Sequence, residues 1–274
     1  MGKVLVVGGG AAGMIAAIFS ARNGQEVHLF EKNEKLGKKI YITGKGRCNL
    51  TNACDMEELL DAVVTNKKFL FSSFYGFTNE ETMEFFEELG LQMKTERGNR
   101  VFPMSDHSSD VIRVLQEELK RLNVKLHLNT KVTWVGEKDG AFSWLKLEDG
   151  TTVSGDACII ATGGNSYQTT GSTGDGYRFA RDLGHTVTEI RPALVPVETK
   201  EAYVRELQGL SLRNVEVSIF DGKKELYREF GEMLFTHYGV SGPLILTASS
   251  FIGKKLEQKP LRLLIDLKPA LSEE

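Results

Sequence analysis

The pattern of the first 31 residues constrains the fold of this chain more than any other feature. A continuous apolar run over 3–7 is typical of a parallel strand buried on both faces. Glycines in Gly-x-Gly-x-x-Gly spacing follow it, small and apolar residues predict a helix over 11–22, and a second strand is expected over 25–30. Strand, glycine turn, helix and strand form a βαβ unit. The sequence therefore predicts an α/β fold built on a Rossmann-like parallel sheet.

The glycine turn has the properties of a dinucleotide site. Its glycines allow a tight turn, close approach of a pyrophosphate and close packing of the helix on the strand, and the helix N-terminus favours phosphate. The contacts expected here are Gly8, Gly10, Ala11, Ala12 and Gly13. Glu31 ends the second strand, where a carboxylate accepts the hydroxyls of an adenosine ribose and repels a 2′-phosphate. The alternative is a glycine-rich turn followed by a surface glutamate.

A second glycine segment favours FAD over NAD as the dinucleotide. Segments of alternating hydrophobicity predict a β-meander over 126–128, 132–135, 142–147 and 151–154. A buried strand over 157–161 then ends in glycines, an arrangement found where a chain crosses back over bound FAD. The cofactor contacts expected from this region are Val132, Ala161, Thr162, Gly163 and Gly164. An ordinary strand-to-loop glycine pair is the alternative.

A loop over 42–52, rich in glycine and cations, lies between these two motifs. Such a loop can offer backbone N–H groups and positive charge to phosphate or flavin, although it can also be an ordinary surface loop. The further candidates for cofactor binding are Lys32, Lys39, Gly46, Arg47, Cys48 and Asn49. Five residues separate Cys48 from Cys54, whereas disulfide reductases place four between their paired cysteines. Disulfide geometry is narrow, so we expect loop thiols and no redox pair.

Segments from one end of the chain to the other resemble the bacterial NAD(P)/FAD-dependent oxidoreductases of the GR2 type, the family that includes aminoacetone oxidase and the bile-acid-intermediate reductase BaiN. These segments are 8–13, 44–52, 100–105, 162–167, 171–176 and 231–243. The resemblance implies an FAD-binding domain that is interrupted by an inserted domain beginning near Pro192.

The resemblance also implies that family members continue past the length of this chain with a segment that closes over the flavin. No such segment occurs in the 274 residues. We therefore expect an FAD domain over 1–191 without its return segment and an incomplete, largely β inserted domain over 192–274. In the latter we expect a hairpin over 215–229, a strand over 261–267 and a helix starting at Ser272.

Composition and charge argue against several classes of function. The formal net charge is -3, which gives no reason to expect a nucleic acid or a charged membrane surface as partner. No apolar run approaches the ~18 residues of a membrane span. Three cysteines are too few for a disulfide framework, and no histidine has the spacing of a metal ligand. We expect a cytoplasmic protein with a small-molecule substrate and no metal.

The leading hypothesis is an FAD-dependent oxidoreductase that moves hydride or electrons between a small organic substrate and flavin, with NAD(P)H or dioxygen as second partner. His237 is the candidate for proton exchange, although a lone histidine often only satisfies a backbone carbonyl. Two other hypotheses stay open. One is a truncated, non-catalytic dinucleotide-binding fragment, and the other is an NAD-dependent dehydrogenase that uses the first βαβ unit.

Overall fold

A computed structural model describes residues 2–271. The expected helix start at Ser272 lies outside the described residues. The chain divides into two compact units, Met1–Val187 and Thr188–Glu274, and each is described by itself. Within the described residues no helix combines the length and the apolarity that a membrane span requires.

The strands of the chain are β1 Lys3–Val7, β2 Glu26–Phe30, β3 Thr51–Asn52, β4 Met93–Glu96, β5 Arg100–Pro103, β6 Lys125–His127, β7 Val132–Lys138, β8 Ala141–Leu147, β9 Thr152–Ser154, β10 Ala157–Ile160, β11 Val197–Glu198, β12 Ser211–Asp221, β13 Lys224–Phe235, β14 Gly239–Ser241 and β15 Arg262–Asp266. The α-helices are α1 Ala11–Arg22, α2 Lys38–Ile42, α3 Met56–Asp61, α4 Lys67–Gly76, α5 Asn79–Glu88, α6 Ser108–Arg121, α7 Asp175–Asp182 and α8 Pro243–Leu256. Short 3-10 turns cover Thr43–Gly46, Gln168–Thr170 and Ala202–Arg205. The first unit contains β1 to β10 and α1 to α7, and the second contains β11 to β15 and α8.

A four-stranded sheet in the order β10-β1-β2-β6 is the centre of the first unit, and its neighbours pair in parallel. Alternate residues of β1 enter different cores. Val4 and Val6 pack with α1 and α6, whereas Leu5 and Val7 pack with the meander strands. Burial on both faces explains why this strand is a continuous apolar run. The expected α/β class and Rossmann-like core are confirmed.

The structure corrects the expected meander in one respect. The sheet β7-β8-β9 is antiparallel, as expected, but the segment expected as a strand over 126–128 does not belong to it. Leu126 and His127 of this segment belong to β6, which pairs in parallel with β2 and places Leu126 beside Leu29. The reason is that α6 carries the chain across one face of the sheet, so the next strand returns to the parallel edge. Three alternating residues do not reveal which neighbour they will pair with.

The second unit is a five-stranded antiparallel sheet in the order β11-β14-β13-β12-β15, with α8 packed on β13. The expected hairpin is present but longer than expected, since β12 and β13 together run from Ser211 to Phe235. Its core contains Val217, Met233 and Ile245. Within its described residues this unit is therefore largely β, and α8, with 14 residues, is its one α-helix.

Candidate cofactor site

A cleft of about 670 Å³ opens at the carboxyl ends of β1, β2 and β10. This edge of an open parallel sheet is where such folds bind ligands. The lining residues are Val7 to Ala12, Phe30 to Asn33, Lys38 to Ile40, Thr43, Thr130 to Val132, Ile160 to Gly163, Thr170 to Ser172, Asp175 to Tyr177, and Phe179. Both glycine segments found in the sequence therefore meet at one cleft.

The glycine turn is shaped by close approach of the backbone. Gly8 has φ +108° and its N–H donates to Phe30 O at 2.8 Å. A Cβ on Gly8 would overlap the carbonyl of Ala161, and a Cβ on Gly13 would overlap the carbonyl oxygen of Gly8. Gly13 does not line the cleft but lets α1 pack against the turn.

Gly10 differs from these two glycines. Apart from its own chain neighbours, a Cβ added there meets no protein atom within 4 Å, although Gly10 lines the cleft and caps the N-terminus of α1. The empty space lies where free N–H groups and the positive end of the helix dipole favour an anion. The turn therefore fits the pyrophosphate of a dinucleotide, and a side chain at Gly10 would fill that space.

Glu31 lies at the end of β2 and is buried, with 8% of its surface exposed. Its Oε2 accepts a hydrogen bond from Gly9 N at 2.7 Å. Its Oε1 accepts two more from Asn33, one from the backbone N at 2.8 Å and one from Nδ2 at 2.6 Å. The carboxylate thus ties the glycine turn to the segment that follows β2, next to the cleft.

The lysines along the cleft differ in their partners. Lys32 Nζ lies 2.7 Å from both Asp175 Oδ2 and Thr173 Oγ1. Burial opposes ionisation of Asp175, but the hydrogen bonds from Lys32 and Thr173 outweigh it and lower the pKa of that carboxyl. Lys39 Nζ instead donates to the carbonyl oxygen of Ser166 at 2.9 Å. Burial lowers the pKa of Lys39.

The segment 161–164, which follows β10, lies next to the glycine turn, with Ala161 against Gly8. Ala161, Thr162 and Gly163 line the cleft, as does Val132 at the start of β7. Gly164 does not belong to the lining. Its carbonyl accepts from Gly174 N at 3.2 Å, which fixes the loop that leads into α7.

The structure does not bring the cationic loop into the cleft as a whole. Thr43 belongs to the lining, whereas Gly46, Arg47, Cys48 and Asn49 do not. The sequence pattern alone could not show this, because a loop rich in glycine and cations has the same composition whether it faces a ligand or packs on protein.

The guanidinium of Arg47 is engaged by protein. Its Nε donates to Asp106 Oδ1 at 2.8 Å, its Nη1 donates to Glu96 Oε2 at 3.2 Å, and it stacks 4.1 Å from the centroid of the Phe102 ring. The hydrogen bonds that Arg47 donates to Glu96 and Asp106 raise the pKa of its guanidinium. The residue thus joins the cationic loop to the β4-β5 hairpin and the turn that follows it.

Cys48 is buried with the core of the first unit and has φ +59°. Burial raises the pKa of its thiol, and burial likewise raises that of Cys54. Cys48, Cys54 and Cys158 are all free. No group of three His, Cys, Asp or Glu residues arranged to hold a metal ion occurs in the described part of the chain.

His237 belongs to the second unit, in the turn between β13 and β14. Its side chain is exposed and its ring packs edge-on against Tyr238, with centroids 4.6 Å apart.

Several lining residues were missed by sequence reasoning. Asn33 and Asp175 are the clearest, since both hold other lining groups in place. Asp175 had a signal, because it lies in the Gly-rich segment 171–176 that carries the resemblance. Asn33 had none beyond its position two residues after Glu31.

Comparison with known proteins identifies the fold. The profile of the family described as "HI0933-like protein Rossmann domain" matches residues 2–250. The chain belongs to this family. The expected family resemblance is confirmed. This chain is also 35% identical over 277 residues to the 3-dehydro-bile acid delta(4,6)-reductase of Clostridium scindens. That alignment covers 99% of this chain and 66% of the reductase.

A second relative is the ribosomal RNA dihydrouridine synthase of Escherichia coli K12. It is 31% identical to this chain, and the alignment covers 90% of this chain and 60% of the synthase. Among solved structures, the open form of a flavocytochrome c3 fumarate reductase matches with TM-score 0.51 and 21% identity, covering 78% of this chain and 47% of that one. This likeness shows the fold alone. This chain spans 66% of the length of the reductase and 60% of the length of the synthase.

Proposed function

We propose that the cleft binds FAD and that this chain is the cofactor-binding part of an enzyme that transfers hydride or electrons between flavin and a small organic molecule. The observation that carries the proposal is the space at Gly10, which faces the N-terminus of α1 and would be filled by any side chain. The buried carboxylate of Glu31 supports it from the ribose side of the same cleft.

Different residues of the cleft would bind different parts of the cofactor. Gly10, Ala11 and Ala12 would hold the pyrophosphate through backbone N–H groups, with the ammonium of Lys39 as the nearby positive charge. The carboxylate of Glu31 would accept a hydrogen bond from a hydroxyl of the adenosine ribose. When bound, FAD supplies the hydride chemistry, and the protein supplies position, electrostatics and exclusion of water.

The names of the two relatives support reduction as the direction of the reaction. One is called a delta(4,6)-reductase and the other a dihydrouridine synthase, and both names describe adding hydrogen across a carbon–carbon double bond. We therefore propose an alkene of a small organic molecule as the electron acceptor. NAD(P)H is the proposed reductant of the flavin, dioxygen is the alternative electron partner, and a cytoplasmic location is consistent with NAD(P)H. His237 stays the proposed proton donor.

A second candidate substrate is a uridine in RNA. The relative from Escherichia coli is named as acting on ribosomal RNA, so the net charge of -3 is not sufficient to exclude nucleic acid as a partner. Flavin reduction followed by mixing with a steroid enone or with a uridine-containing RNA oligonucleotide separates the two substrates by which one reoxidises the flavin.

Titration of the purified chain with FAD and with NAD tests the cofactor assignment. We expect FAD to bind with a shift of its visible absorbance and to bind more tightly than NAD. Tighter binding of NAD would support the dehydrogenase hypothesis and contradict ours. Tight FAD binding without any reoxidation by either acceptor would favour the non-catalytic fragment.

A further inference from the structure

The carboxylate of Glu31 already accepts three hydrogen bonds from protein groups. It accepts from Gly9 N, Asn33 N and Asn33 Nδ2, all within 2.8 Å. A carboxylate has about four lone-pair positions, two on each oxygen. Both positions on Oε1 are therefore filled by Asn33, and one position is left on Oε2 beside Gly9.

The orientation of the Asn33 amide is decided by its neighbours. Its Oδ1 accepts from Lys38 Nζ at 3.3 Å, and its Nδ2 also lies 3.3 Å from the carbonyl oxygen of Thr170. A rotated amide would turn Oδ1 towards the carboxylate of Glu31 and Nδ2 towards the ammonium of Lys38. Both contacts would then be repulsive, so the amide donates to Glu31.

The backbone of Asn33 is held as well. Its carbonyl oxygen accepts from Asn129 N at 3.0 Å. On the other side, a Cβ on Gly171 would lie 2.6 Å from Asn33 Nδ2, so the loop before α7 packs closely against the amide. Asn33 is thus held beside Oε1 by contacts with two other segments of the first unit, the one at Asn129 and the loop before α7.

We propose that Asn33 determines how the nucleotide site recognises ribose, by restricting Glu31 to a single ribose hydroxyl that donates to Oε2. This inference rests on the proposed dinucleotide function. A carboxylate with both oxygens free would accept from both vicinal hydroxyls, and losing either one would weaken binding. With Oε1 filled, only one of the two hydroxyls contributes through Glu31.

ADP, 2′-deoxy-ADP and 3′-deoxy-ADP test this when each is titrated calorimetrically into the full chain after removal of any bound flavin. We expect one deoxy analogue to bind within about 2-fold of ADP and the other about 10-fold or more weaker, as for loss of a hydrogen bond to a charged acceptor. Equal weakening of both analogues, or of neither, would overturn the proposal. If ADP itself does not bind, the nucleotide function fails along with it, which is a distinct result.

The substitution N33A frees one position on Oε1 while the backbone donor stays. We expect the analogue that wild type tolerates to become several-fold weaker than ADP, because the second hydroxyl now contributes. A purely structural role would weaken all three ligands by one common factor and would contradict us. N129A is the matched control, since the hydrogen bond that Asn129 gives to Asn33 comes from its backbone, and it should keep the wild-type pattern.

Discussion

Gly13 lies directly under Gly8, so close that a Cβ on Gly13 would overlap the carbonyl oxygen of Gly8. A Cβ on Gly10, in the same turn, would meet no protein atom within 4 Å apart from those of its own chain neighbours. The two glycines therefore serve different purposes. Gly13 is required by the fold, whereas Gly10 leaves room for a ligand.

This difference predicts opposite effects of two substitutions. G10V should fold with nearly wild-type stability but bind FAD at least 10-fold more weakly, because the branched side chain occupies the space left for the pyrophosphate. G13A should lower the free energy of unfolding, since the backbone of the turn must shift. Urea denaturation and FAD titration of both variants check this. A G10V protein with unchanged FAD affinity would contradict the site.

The lowered pKa of Lys39 predicts that the affinity for the cofactor depends on pH. Burial lowers its pKa from the ordinary value of 10.5, and the ammonium form is the one that attracts phosphate. Affinity for FAD should therefore be complete at neutral pH and decline as the pH rises through the lowered pKa, earlier than for an exposed lysine. K39M should bind FAD several-fold more weakly at pH 7 and show no such decline.

The matched control for this prediction is K38M. Lys38 lines the same cleft, but its ammonium lies 3.0 Å from Glu34 Oε2 and is thus neutralised by the protein. We expect a smaller loss of FAD affinity and an alkaline decline like that of wild type. A larger loss of FAD affinity in K38M than in K39M would show that Lys38 holds the phosphate and that our assignment to Lys39 is wrong.

Arg47 should act on stability and much less on binding. Arg47 and Lys94 both pair with Glu96 and Asp106, and R47L removes one of these two cations, so its melting temperature at pH 7 should fall below that of wild type. R100L is the control, because Arg100 also lies near the Phe102 ring but donates to the carbonyl of Arg97. It should melt close to wild type.

The stabilisation that Arg47 gives through its ion pairs with Glu96 and Asp106 should depend on pH. The hydrogen bond from Arg47 lowers the pKa of Glu96, and those from Lys94 and Arg47 lower that of Asp106. Groups with lowered folded-state pKa values stabilise the fold above their unfolded pKa, about 4, and lose this effect as the pH falls through the folded values. The difference between wild type and R47L should shrink below pH 4. A difference that grows on acidification would argue against these ion pairs.

The cysteines should not take part in electron transfer. Burial raises the pKa of Cys48 and of Cys54, so both are mainly thiols at neutral pH, and the thiolate is the reactive form. A C48S, C54S double variant should keep its flavin and its rate of flavin reduction. A stopped-flow measurement in which the variant retains flavin but is not reduced would show that the pair is redox-active after all.

Local pattern was sufficient for the βαβ unit and for helix α6, because each is formed by a continuous segment whose hydrophobic period is its own. It was not sufficient for β6, whose partner depends on where α6 delivers the chain. Cleft residues followed the same division. Gly8, Gly10 and Glu31 could be identified because they occur in a fixed order along the chain, whereas Asn33 is recognised only from its contacts.

The sequence by itself determined the first strand, the glycine turn, the first helix and the acid that follows the second strand, because steric and hydrophobic rules act there over a few residues. Tertiary structure alone decided that the guanidinium of Arg47 faces Glu96 and Asp106, away from the cleft. It also decided that Asn33 fills one oxygen of Glu31. The physical reason is that a charged or amide side chain binds whichever partner the fold brings within about 3 Å, and that partner can be tens of residues away in the chain.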